Sequence, residues 1–80
     1  MGIMELTPLA RLRRQAGLSQ AEVAALVGVS QQHLAAWERG KYLPRPAAQR
    51  ALASAYGVTP ALVFDAAEGT QRAVSAANVT

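Results

Sequence analysis

The stretch SQAEVAALVGVSQQHLAAWERG, residues 19–40, holds two helix starts with one glycine between them. Ser19 and Glu22 have the S-x-x-E spacing of a capping box, in which the serine oxygen and the glutamate carboxylate satisfy backbone donors at a helix N-terminus. Ser30 is a second N-cap residue. Gly28 falls between them, placed to adopt the left-handed backbone that ends a helix in a tight turn. The pattern predicts one helix from about residue 20 to Val27 and another from the Ser30 cap to Gly40. Helices this short are not stable alone in water. Their apolar sides must therefore bury against each other and against further elements, with Val23, Leu26 and Val27 inward on the first and Leu34 and Trp37 inward on the second.

The same punctuation continues on both sides. Thr7-Pro8 reads as an N-cap and a first-turn proline for a helix over about 8–16, with Leu9, Leu12 and Ala16 on one face and Gly17 as its stop. The prolines of KYLPRP enforce an extended loop. Pro46 then opens a fourth helix that places Ala48, Leu52 and Ala55 at core spacing and ends at Gly57. Thr59-Pro60 starts a short fifth helix, with Val58 able to staple onto Val63. After Phe64 only Val74 and Val79 are larger apolar residues. Residues 65–80 are therefore expected to form a flexible tail, with at most a weak helix over Gln71 to Ala77. No strand pattern, internal repeat or phosphate-cradling glycine loop occurs. The expectation is one all-α domain of five helices over residues 1–64, with the tail outside it.

Charge and composition narrow the function. Seven of the eight cationic residues lie between Arg11 and Arg50, against Glu22 and Glu38, while both flanks are acidic. Such a basic middle suits a polyanion-binding surface, and it equally suits an ordinary solvated face. The absence of cysteine excludes disulfides and thiolate metal sites, and one histidine cannot build a zinc site. Asp65 and Glu68 sit in the expected tail, away from any pocket, so neither an enzyme nor a cofactor or small-molecule site is expected. MGIMELTP has no basic segment followed by an apolar run, and no stretch approaches the roughly 18 apolar residues of a membrane span. The chain is read as cytoplasmic, associated with the nucleoid if it binds DNA.

On a wheel of 100° per residue, Leu34 and Trp37 face the core, and the opposite side of the helix carries Gln32, Ala36 and Arg39. Ala35 and Gln31 lie toward one flank, His33 toward the other. A glutamine amide can pair bidentately with adenine in the major groove, arginine can take guanine or phosphate, and alanine methyls allow close approach. Gln31, Gln32, Ala35 and Ala36 are the candidate base-reading residues. Ser30, His33, Arg39 and Lys41 are candidate contacts to the DNA backbone. The inward Val23, Ala24, Val27, Val29, Leu34 and Trp37, with Gly28 in the turn, complete the requirements of a helix-turn-helix.

Across about residues 6–64, and most closely in LRRQAGLSQAEVAALVGVSQQHLAAWERG, the chain resembles the Cro/C1-type, or Xre-like, helix-turn-helix proteins that include the lambdoid phage repressors. The resemblance implies a lambda-repressor-like five-helix domain whose third helix is the recognition helix. It implies that Gln20 holds a phosphate and braces Gln31, that Gln31 reads adenine, and that Gln32 reads a neighbouring base. It also implies an ion pair between Arg13 and Glu38 that ties helix 1 to helix 3, in keeping with Glu38 lying off the outward face. KYLPRP departs from the basic loop of many relatives.

The function expected is a sequence-specific, double-stranded DNA-binding transcriptional regulator, a repressor acting on a two-fold symmetric operator. A homodimer through Leu62, Val63 and Phe64 would supply the two-fold symmetry. Two alternatives stand beside it: an antitoxin that represses its own operon, and an accessory DNA-binding protein of phage or plasmid recombination.

Overall fold

A computed structural model describes residues 6–77. It contains five helices in the order α1 Pro8–Gln15, α2 Gln20–Val27, α3 Gln31–Glu38, α4 Pro46–Tyr56 and α5 Pro60–Ala77, with no strand among the described residues. The fold is all-α, with α2 and α3 as the helix-turn-helix.

Local chemistry sets the helix starts. The side-chain oxygens of Thr7, Ser19 and Ser30 accept from the backbone N–H of Ala10, Glu22 and His33, and Glu22 returns a carboxylate to the Ser19 N–H at 2.8 Å. Gly28 ends α2 at φ +83°, where a Cβ would be strained. Leu9, Val23, Leu34, Trp37, Leu52, Ala53, Tyr56, Val63 and Ala67 form the buried core, drawing at least one residue from every helix. Ala48, Ala55, Leu12 and Val27 pack at its margin.

Two inward assignments do not hold. Leu26 is 65% exposed, because at 100° per residue it lies well outside the arc centred between Val23, Ala24 and Val27. Ala16, the C-cap of α1, is exposed where the chain leaves the helix.

The larger difference is α5. The expected short helix and separate tail are one helix of 18 residues running through residue 64 to Ala77. Small residues make this possible. Ala67 and Thr70 are buried, and a Cβ built on Gly69 would stand 3.6 Å from the Pro8 ring, so α5 lies close against α1. Thr70 Oγ1 donates to the Ala66 carbonyl within α5 at 2.8 Å and accepts the Leu9 N–H of α1 at 3.0 Å. That second bond satisfies one of the unpaired donors of the α1 N-terminus. Residues 78–80, including Val79 of the expected tail, lie outside the described residues.

Candidate nucleic-acid interface

The face of α3 turned away from the core begins with three exposed side chains, Gln31, Gln32 and His33. Ser30 caps the helix through its oxygen and keeps its hydroxyl proton for another acceptor. Gln32, His33, Ala35, Ala36, Arg39, Lys41 and Tyr42 line a shallow concavity of about 560 Å³ beside the Ser30 cap. Arg39 and Lys41 are exposed at its edge, and the Lys41 ammonium lies 5.7 Å from the Tyr42 ring centre. Among the described residues, no acidic side chain lines this surface.

Within it, Ala36 is not outward as expected. It is 6% exposed and forms the floor of the concavity. The chain turns back after α3 at the left-handed Gly40, the Lys41 N–H donates to the Ala36 carbonyl at 3.0 Å, and Lys41 and Tyr42 line the same concavity as Ala36. Ala35 keeps intermediate exposure. The His33 ring meets Trp37 edge-on, with centroids 4.9 Å apart and planes at 68°. Trp37 itself is buried, and His33 packs over it from the solvent side.

Glu38, on the inward side of α3, is a meeting point for three other segments. Arg13 of α1 donates from Nε to Oε2 at 2.7 Å and from Nη2 to Oε1 at 3.2 Å, with both residues buried. A third Arg13 donor, Nη1, goes to the Leu18 carbonyl at 2.9 Å. The Thr7 hydroxyl donates to the Glu38 carbonyl at 2.6 Å. Gln20 of α2 donates from Nε2 to Glu38 Oε1 at 3.0 Å. The structure thus brings Arg13, Glu38 and Gln20 together, and the Gln20 amide points to Glu38 rather than to Gln31.

Tyr56 of α4 has a buried hydroxyl without a hydrogen-bond partner among the described residues. Burial pushes its acidity well below that of an ordinary phenol; the negative charge of Glu38 adds to this and Arg13 opposes it. Tyr56 therefore stays a neutral phenol.

The residues expected at a dimer contact divide. Leu62 is 44% exposed and Phe64 half-buried, but Val63 is fully enclosed in the core and has no surface to offer a partner. Its place follows from α5 packing, since Val63 and Ala67 are one turn apart on the inward side. Two contributors escaped the sequence reading. Tyr42 lines the concavity, and an aromatic beside Lys41 in a proline-rich loop was a usable signal. Thr7 was visible only as a cap, and nothing local marks its bond to Glu38.

Two short helices crossing at a left-handed glycine, the second presenting amides beside a basic edge, define a helix-turn-helix protein. The chain belongs to the helix-turn-helix domain family, whose profile matches residues 8–64. Over 50 residues it is 50% identical to an uncharacterized HTH-type transcriptional regulator, y4dJ, of Sinorhizobium fredii, a match covering 62% of this chain and 65% of that protein. The chain thus spans just under two thirds of the length of that relative. No solved structure shows a significant match. No described helix is long and apolar enough to cross a membrane.

Proposed function

We propose that the chain is a sequence-specific double-stranded DNA-binding regulator of transcription, with α3 as its recognition helix. The observation that carries this is the exposed run Gln31, Gln32 and His33 at the start of α3, on the same face as Arg39 and Lys41, with no acidic side chain among the described residues that line the concavity there. Amides at the N-terminal end of the second helix are placed to pair with base edges. The cations and the Ser30 hydroxyl beside them suit phosphate oxygens, which position without specifying. Membership of the helix-turn-helix family and the transcriptional-regulator name of the relative support the same reading.

In its finer form the proposal is a repressor of the Cro/C1 type that occupies a two-fold symmetric operator as a homodimer. One module buries too little surface for genome-wide specificity, and two-fold pairing doubles the base contacts. Leu62 and Phe64 are the residues of this chain we assign to that contact. Binding-site selection on random duplex DNA, with sedimentation of the free protein, tests both parts. The expected result is a site with dyad symmetry and half-sites about one helical turn apart. A selected site without a dyad overturns the dimeric form, and enrichment of no sequence overturns the function.

A further inference from the structure

Glu38 closes α3 with a carboxylate that is 5% exposed, and an anion held so far from water requires its donors in good geometry. Arg13 provides two, from α1, and its Nη1 is already committed to the Leu18 carbonyl. The third donor is Gln20, the first residue of α2 and half-buried. Oε1, the oxygen that takes the longer Arg13 bond, is also the one that takes Gln20. Without Gln20 that oxygen keeps only a 3.2 Å bond. The carboxylate, and with it the last turn of α3, would then be held from the α1 side alone.

We propose that Gln20 is a positioning residue for the recognition surface: through its amide bond to Glu38 it sets the orientation of α3 against α2, and so the alignment of Gln31 and Gln32. This rests on the reading of α3 as the recognition helix. It assigns Gln20 a role through a buried carboxylate instead of one at a phosphate or as a brace for Gln31. The same bond links the first turn of α2 to the last residue of α3, so the two helices are tied at the end opposite the Gly28 turn. With a turn at one end and an amide–carboxylate bond at the other, their crossing angle is fixed from both sides.

The test compares the wild-type chain with Gln20→Met, which keeps the side-chain length and removes the donor, with Gln20→Lys, which restores a donor to Glu38, and with Gln31→Ala alone and combined with Gln20→Met. Affinities are measured for the selected duplex and its single-base variants, at a temperature where every variant is folded. The free proteins are followed by the NMR signal of the Arg13 Nε–H. Positioning predicts that Gln20→Met lowers discrimination at the bases read by both Gln31 and Gln32 by about tenfold, leaves affinity for random duplex unchanged, and shifts the Arg13 signal. Gln20→Lys should restore the discrimination. Equal loss for every sequence would mean a phosphate contact and overturn the proposal. Loss that disappears in the Gln31→Ala background would mean a brace and overturn it. A lowered Tm with discrimination intact would mean a merely structural bond and overturn it too. A wild-type chain that prefers no duplex sequence defeats the reading beneath the proposal, a result distinct from these because it appears before any substitution is made.

Discussion

Gln31 and Glu38 begin and end the same short helix and face opposite environments. Gln31 is exposed and adds nothing to the core. Gln31→Ala should therefore leave unfolding stability within about 0.5 kcal/mol, while lowering discrimination at one base pair per half-site by roughly 1–3 kcal/mol. Thermal unfolding, paired with affinities for single-base variants, checks both halves. Glu38→Ala should act on both quantities. It strands the buried Arg13 guanidinium, so stability should fall by roughly 3–5 kcal/mol, and it removes the partner of Gln20, so at a temperature where the variant is folded discrimination should fall at the bases read by Gln31 and Gln32. Denaturant melts give the first quantity directly. These two residues were legible before the structure, because exposure of one and the off-face place of the other follow from helical periodicity. Ala36 and Val63 were not: they were read as outward contacts and are 6% and 0% exposed, because which flank of a short helix is covered depends on the elements packed around it as well as on its own period.

Three helix ends carry testable strain or charge. Gly40 has φ +78°, and a Cβ there would lie 3.1 Å from both the Thr70 carbonyl oxygen and Val74 Cγ2. Gly28, at φ +83°, has nothing within 4 Å. Gly28→Ala should thus cost about 1 kcal/mol from backbone conformation alone, and Gly40→Ala more, because α5 must also move away; Tm differences rank the two. At the α2 start, the bonds from the Ser19 N–H and then the Ser19 side chain hold the Glu22 carboxyl below its ordinary value of 4.5. A depressed carboxyl contributes stability above its unfolded value and loses it as pH falls through the folded one. Glu22→Gln should accordingly flatten the acid side of the stability profile below about pH 4.5, read by urea unfolding at a series of pH values. Starts such as Thr7, Ser19, Ser30 and Pro46 were legible because capping is local chemistry. The length of α5 was not: Ala66, Ala67, Gly69 and Thr70 show no hydrophobic period, and they pack because they are small and because Thr70 bonds to α1.

Taken as a whole molecule, the chain separates a small shared core from a basic surface. Ala67 and Thr70 are consumed inside the fold, so the inward side of α5 beyond residue 64 is not a free arm for a protein partner. The α3 face, backed by Arg13, Glu38 and Gln20, stays exposed. If it reads duplex DNA as a dimer with three or four phosphate contacts per protomer, log affinity should fall against log salt with a slope of roughly −5 to −7. The most direct test of the central claim is the affinity of the full chain for its selected duplex and for a scrambled duplex of equal length, measured between about 50 and 200 mM salt. A sequence-reading α3 gives a preference of at least about a thousandfold for the selected duplex, with both affinities falling as salt rises. Equal affinity for the two duplexes, or binding indifferent to salt, would contradict the claim.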